Sequence, residues 1–332
     1  MIIAKAPLRV SFCGGGSDIE SFYKKHNGCV ISTSINKYIY LDIHPTFMKE
    51  KTILKYSKNE QVVNLDDIEH PIFREVLKKF NINGVEISSQ ADIPAGTGLG
   101  SSSSFTVCLI HLLYAYTSKY VSKERLANEA CIVEIEKLHE PIGKQDQYAS
   151  AYGGLNYYKF KKDGSVYVEP IILSDKSKQK LENNLLMFYT GDVRSASKIL
   201  AEQKVNITSG EKELNQLKLC ELTEELKLEF ENDNIDALGN ILHRGWLLKR
   251  SLASGITNPL IDESYEKAIN AGALGGKLLG AGGGGFLLFY VLPENQQKVK
   301  DALSNLKFMK FVFDNHGSSI IYVGDKLDWD NN

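Results

Sequence analysis

The sequence predicts an α+β fold in two domains. Three observations carry this. The 332-residue length suits one large or two ordinary domains. Strand patterns dominate the first 190 residues, and amphipathic helical patterns dominate 195–270. The order is strands, then helices, then a mixed sheet, which departs from regular βαβ alternation.

The elements follow in order. Ile2–Cys13 and Cys29–Ile43 read as strands from their β-branched and aromatic content. Shorter strands follow near Thr52–Tyr56 and Val85–Ile93. Ser101–Thr117 reads as an apolar helix, with Phe105, Cys108, Leu109, Leu112, Leu113 and Tyr116 on one side. Ser122 is an N-cap for a second helix reaching about Glu140, where Pro141 and Gly143 stop it. Asn156–Phe160, Val166–Leu173 and Leu185–Thr190 read as strands. Ser195–Val205, Glu211–Glu231, Ile235–Ala253 and Leu260–Asn270 read as amphipathic helices. A glycine-rich loop enters the buried strand Phe286–Leu292, and the helix Glu294–Leu306 precedes a last strand, Ile320–Val323. The domain boundary is expected near residue 190, giving domains 1–190 and 191–332. No Pro- or Ser-rich linker marks it, so the halves are expected to share an interface.

Composition excludes several functions. Charged residues make up 24% and sum to −2, so no basic excess points to nucleic acid or an anionic membrane. No run approaches 18 apolar residues, and the start lacks a basic head with an apolar region behind it. The five cysteines, Cys13, Cys29, Cys108, Cys131 and Cys220, are odd in number and widely spaced. That suits reduced thiols in a cytoplasm and argues against disulfides or zinc. The seven histidines form neither H-E-x-x-H nor H-x-H.

The 27 glycines are near average in number but cluster three times. Pro94-Ala-Gly-Thr-Gly-Leu-Gly-Ser-Ser-Ser-Ser104 stands directly before the apolar helix. Alternating glycines allow positive φ and close backbone approach, and their N–H groups can converge on an anion. The helix N-terminus adds its dipole. The usual phosphate loops do not match: no Lys lies between Gly96 and Ser104, and the spacing of Gly96, Gly98 and Gly100 is not G-x-G-x-x-G. An NAD-dependent oxidoreductase fails on that spacing. The first cluster, Pro7-Leu-Arg-Val-Ser-Phe-Cys-Gly-Gly-Gly-Ser-Asp18, is either a turn capped by Asp18 or a backbone face for a polar ligand. Arg9 is either a surface strand charge or an anion contact. The third, Gly275-Gly-Lys-Leu-Leu-Gly-Ala-Gly-Gly-Gly-Gly-Phe286, is either a bulged strand entry or a close approach to another backbone or ligand. Glu134 and Glu136 lie two apart on a helix, so one can point inward while the other faces solvent. Asp146 is expected in a loop after Gly143. Lys144, Arg194 and Lys277 are candidates for a substrate phosphate, and each reads equally well as a surface cation.

Together the clusters resemble the three motifs of the galactokinase, homoserine kinase, mevalonate kinase and phosphomevalonate kinase (GHMP) superfamily. The resemblance spans nearly the whole chain. It implies a ribosomal-protein-S5-like N-terminal domain and a ferredoxin-like C-terminal domain. The first motif, with Gly143-Lys-Gln-Asp-Gln-Tyr148 and Ala151-Tyr-Gly-Gly154, resembles the branch acting on D-glycero-D-manno-heptose 7-phosphate. Fucokinase-type kinases of a non-phosphorylated sugar are similar. The resemblance implies ATP on Pro94, Gly96, Thr97, Gly98, Leu99, Gly100, Ser101, Ser102 and Ser103. It implies the sugar phosphate on Gly15, Gly16, Ser17, Asp18, Lys144, Gly282 and Gly283. Magnesium would be held by Ser102 and by Glu134, twelve residues before Asp146. Asp146 resembles the family's catalytic aspartate, and Arg9 its first-motif cation. On assembly, the resemblance points to a homodimer. A non-catalytic sensor on the same fold would be expected to lack Asp146 or Glu134, and both are present.

Overall fold

A computed structural model describes residues 1–191 and 196–324. The chain runs β1 (Ile2–Cys13), α1 (Glu20–His26), β2 (Gly28–Pro45), β3 (Thr52–Lys55), β4 (Asn59–Val62), α2 (Pro71–Phe80) and β5 (Val85–Ala91). Helices α3 (Ser101–Tyr116), α4 (Lys123–Cys131) and α5 (Gln145–Tyr152) follow, then β6 (Leu155–Phe160), β7 (Val166–Pro170), α6 (Asp175–Asn184) and β8 (Leu185–Tyr189). The second half carries α7 (Ala196–Asn206), α8 (Gly210–Glu231), α9 (Ala237–Lys249), α10 (Pro259–Asn270), β9 (Gly275–Leu278), β10 (Phe286–Tyr290), α11 (Gln296–Ala302), β11 (Lys307–Met309) and β12 (Ser319–Val323).

Two sheets organise these elements. The first runs β12-β1-β2-β5-β3-β4, with β6 and β7 joined through β2. The length of β2 explains the branching. Its N-terminal half, Gly28–Thr33, pairs with β6, and its C-terminal half, Ile39–Pro45, pairs with β5. From Ala6 to Cys13 every residue of β1 is buried, because α3 and α5 pack on this strand, as do α8 and α9 from the second half. A strand covered on both faces reads as a continuous apolar run rather than an alternation. The second sheet is antiparallel, in the order β11-β8-β10-β9. Numbered by its own strands that order is 4-1-3-2 with helices between, the ferredoxin-like arrangement.

Several expectations need correction. Strand membership does not divide at residue 190: β8 opens the second sheet, and β12 returns to pair with β1 in the first. Helix α3 is not one-sided; from Ser101 to Tyr114 only Ser102 is exposed and only His111 half-buried. It runs between β1, β2 and the helices α2, α4 and α5, so its whole circumference is covered. Ser122 does cap α4, its Oγ accepting from the Arg125 N–H at 3.2 Å, but from Ile132 to Lys137 the helix widens into a π-helix. Asp146 lies in the first turn of α5, not in a loop. Helices α1, α2 and α6 and strands β4, β9 and β11 escape the sequence pattern, being short or flanked by turn residues. No helix among the described residues is long and apolar enough to cross a membrane.

Candidate active site

The β1 strand places Arg9 under the mouth of a cavity of about 330 Å³ between the two halves. Arg9 is 4% exposed. Its Nε donates to Asp146 Oδ1 at 2.7 Å and its Nη2 to Oδ2 at 2.9 Å, a two-pronged pair. Its Nη1 donates to the Gly98 carbonyl at 2.6 Å, and its backbone N–H to the Leu99 carbonyl at 3.0 Å. One buried guanidinium therefore ties the carboxylate of α5 to the middle glycine loop. Asp146 also sits at the N-terminus of α5, where the helix dipole favours negative charge.

The middle loop lies as the glycine spacing requires. Gly96, Gly98 and Gly100 have φ of 78°, 84° and 76°. They line the cavity with Ser101, Ser102 and Ser103 at the start of α3. Pro94, Thr97 and Leu99 do not line it. Thr97 Oγ1 donates to the Pro94 carbonyl at 3.1 Å, and Leu99 is fully buried in the core. The Thr97 hydrogen bond and the burial of Leu99 shape the loop.

Glu134 lies in the π-helical segment, a local widening often found at functional sites. It is buried and lines the cavity, whereas Glu136 is exposed, as their spacing predicts. Ser102 Oγ donates to Glu134 Oε1 at 2.8 Å, and Gln147 Nε2 donates to Oε2 at 2.6 Å. Burial pushes the Glu134 carboxyl up to about 7; the hydrogen bonds from Ser102, Gln147 and Ser103 oppose this, and the charge of Asp146 adds to it. No cationic side chain among the described residues pairs with it. A buried carboxylate beside a hydroxyl is a hard-oxygen donor pair, and it fits a magnesium ion that takes its remaining ligands from phosphate and water.

The first and third loops complete the wall. Gly15, Gly16 and Asp18 line the cavity. Asp18 is 2% exposed, and it accepts from the Gly16 N–H at 2.9 Å, the Gln145 N–H at 3.2 Å and Gln145 Nε2 at 3.1 Å. It thereby clamps the first loop to α5. Burial, then the nearby Asp146 charge, raises its carboxyl pKa. Ser17 faces away; its Oγ donates to the Cys29 carbonyl and accepts from the Cys29 N–H. Lys144 also points away, its Nζ donating to the Gly164 carbonyl at 2.8 Å and lying 5.1 Å from the centre of the Tyr23 ring. This is a correction, since a cation already satisfied there does not reach the cavity. Gly282 lines the cavity, whereas Gly283 bonds through its N–H to the Ile256 carbonyl. Lys277 lines the cavity, and Arg194 lies outside the described residues. Ser11, Gln145, Gln203 and Lys249 also line it and were missed. Lys249 falls inside the helix expected over Ile235–Ala253, where a lysine ordinarily reads as solvated, and it is the last residue of the observed α9.

The two glycine loops meet backbone to backbone. A Cβ on Gly98 would lie 2.5 Å from the Leu279 carbonyl oxygen, and one on Gly280 would strike Gly98. Glycine is needed at both for that approach. The assembled groups, an amide-rich loop on a helix N-terminus, a hydroxyl–carboxylate pair and an Arg-held carboxylate, suit phosphoryl transfer, which rests on positioning and charge neutralisation.

Comparisons with known proteins agree. Residues 68–154 match the GHMP kinases N terminal domain, and residues 226–308 match the GHMP kinases C terminal domain. The chain is 28% identical over 319 residues to a D-glycero-alpha-D-manno-heptose 7-phosphate kinase of Campylobacter jejuni, covering 91% of this chain and 93% of that one. It is 25% identical to a galactokinase of Pyrococcus furiosus, covering 93% and 94%. Among solved structures, a D-glycero-D-manno-heptose 1-phosphate kinase from Bacteroides thetaiotaomicron shares the fold with a TM-score of 0.80 at 24% identity, over 98% of this chain and 100% of that one. The loop, the helix behind it and the Arg-held aspartate thus sit in a chain that belongs to the GHMP kinase family, a kinase drawing its phosphoryl group from ATP.

Proposed function

We propose that this kinase phosphorylates the anomeric C1 hydroxyl of D-glycero-α-D-manno-heptose 7-phosphate, giving the 1,7-bisphosphate. The observation that carries the reading is the full-length similarity to the Campylobacter jejuni heptose 7-phosphate kinase, at 91% and 93% coverage. The first-motif run from Pro7 to Asp18 supports it. Asp146 would accept the proton of the attacking hydroxyl. Arg9 would hold that carboxylate in place through its two hydrogen bonds. Ser102 and Glu134 would hold Mg²⁺, which neutralises phosphate charge when bound. Five free cysteines fit a reducing cytoplasm, and the product would feed nucleotide-activated heptose for capsule, S-layer or lipopolysaccharide glycans. A second reading, a fucokinase-like kinase of a free sugar, draws on 26% identity to an Arabidopsis thaliana bifunctional fucokinase/GDP-fucose pyrophosphorylase. That similarity covers 91% of this chain but 30% of the plant protein.

The deciding experiment offers the purified protein a panel of sugars and sugar phosphates with ATP and Mg²⁺, with NMR of the product anomer. Turnover of heptose 7-phosphate at C1 is expected, and a preference for free fucose would replace it with the second reading. A second expectation concerns the metal. Glu134→Gln should raise the Mg²⁺ concentration for half-maximal rate by at least roughly 10–100-fold, the range for losing the outer-shell support of a metal ligand. Glu136→Gln, on the exposed face, should leave it unchanged. Equal Mg²⁺ titrations for the two variants would remove Glu134 from the metal site.

A further inference from the structure

Two lysines in the cavity wall have no part in the chemistry above. Lys249 closes α9 and Lys277 lies in β9, and they are 8% and 6% exposed. Lys249 Nζ donates to the Gly280 carbonyl at 2.5 Å, and Lys277 Nζ donates to the Phe12 carbonyl at 3.0 Å. Among the described residues neither is ion-paired with a carboxylate. Buried charges in folded proteins are ordinarily paired, because an isolated one is costly. Burial lowers both ammonium groups, Lys277 to about 8 and Lys249 well below its usual value. Lys277 and Arg9 repel charge at Lys249 more strongly than Asp18 and Asp146 attract it.

The neighbouring polar groups are left open in the same way. Ser11 Oγ and Gln203 Nε2 line the same cavity, in side chains 5% and 2% exposed, with no hydrogen-bond partner among the described residues. Buried donors without acceptors are rare in folded proteins. Two uncompensated cations and two spare donors in one wall describe a place for a phosphate group.

We propose that Lys249 and Lys277 form a phosphate subsite, built by α9 and β9 and completed by Ser11 and Gln203. Two sources supply that chemistry. Gly280, which holds Lys249, packs on Gly98 of the nucleotide loop, so the terminal phosphoryl group of ATP is one source. The acceptor's own phosphate is the other, and this arm alone rests on the heptose-phosphate reading.

Calorimetric titration separates the two. Wild type, Lys249→Met and Lys277→Met are each titrated with a non-hydrolysable ATP analogue and, separately, with heptose 7-phosphate. Each variant should bind one of these ligands at least about tenfold more weakly, as expected for a lost charge-assisted hydrogen bond. Without ligand its melting temperature checks that it is folded, since removing a buried charge and leaving the Gly280 or Phe12 carbonyl without its donor act in opposite directions. Weakening on the sugar arm assigns the acceptor phosphate, and weakening on the nucleotide arm assigns ATP. Variants that bind both ligands within about twofold of wild type overturn the subsite. Should a variant fail to fold, ¹³C-lysine NMR of the wild-type protein titrated with inorganic phosphate reads the same question. Signals of two buried lysines must move, and their constancy overturns the proposal. Wild type that ignores heptose 7-phosphate, while its lysines respond to the ATP analogue, sinks the substrate reading and leaves the subsite standing.

Discussion

Asp146→Asn should fold and lose about 10²–10⁴-fold in kcat, the range typical of a missing general base. The amide keeps an oxygen for Arg9 but cannot take a proton from the acceptor hydroxyl. It also sets an NH₂ against a guanidinium donor where Oδ2 now accepts from Nη2 at 2.9 Å. Arg9 stays buried with less compensation, so stability falls too. The Asp146 side chain is 24% exposed, which keeps that loss below the roughly 3–5 kcal/mol of a fully buried broken pair. Assays below the variant's own melting temperature separate the two effects. A folded variant turning over within about fivefold of wild type would leave Asp146 as a structural tie for Arg9 and remove the base.

The second large effect belongs to Gly98→Ala. Its φ of +84° costs an L-residue about 1–2 kcal/mol, and its Cβ would meet the Leu279 carbonyl oxygen at 2.5 Å. Relieving that clash means pushing the two glycine loops apart, at a further 1–3 kcal/mol or so, as for an overpacked core. A displacement near 1 Å in the nucleotide loop should lower kcat/KM for ATP about 10²-fold. Gly255→Ala is the control. It has a similar φ of +79° but nothing within 4 Å of the new methyl, so it carries the backbone cost alone. The difference in melting temperature between the two variants measures the loop–loop contact. Equal melting, with ATP kinetics intact in both, would show that the loops are not held in register by this approach.

These loops were legible because glycine is written locally. Three alternating glycines before an apolar helix carry their meaning in adjacent residues, whereas Arg9 in its strand left a surface charge and an anion contact both open. The direction of a side chain is not written locally. Lys144 stands beside Asp146 in sequence, yet it turns to Gly164 and Tyr23, while Lys249, more than 100 residues away, enters the cavity. Only the docking of α9 on β1 and β9 decides the latter. The π-helical turn at Glu134 was hidden for a different reason. Over six residues its apolar spacing hardly differs from that of an α-helix, although it helps set the position of the buried carboxylate. Sheet membership of β8 and β12 was equally invisible, since strand pairing joins residues far apart in the chain.

The return of β12 sets an order on folding. Ile2 pairs with Val323, so the outer edge of β1 is closed by a strand that follows it by more than 300 residues. At about 5–20 residues per second, that edge waits roughly 15–60 s on the ribosome for its partner. An open edge is a template for pairing with other chains. A chain truncated before Ser319 would keep every loop of the active site and still carry that open edge for its lifetime. Its failure would be loss to aggregation, with chemistry intact in whatever stayed soluble.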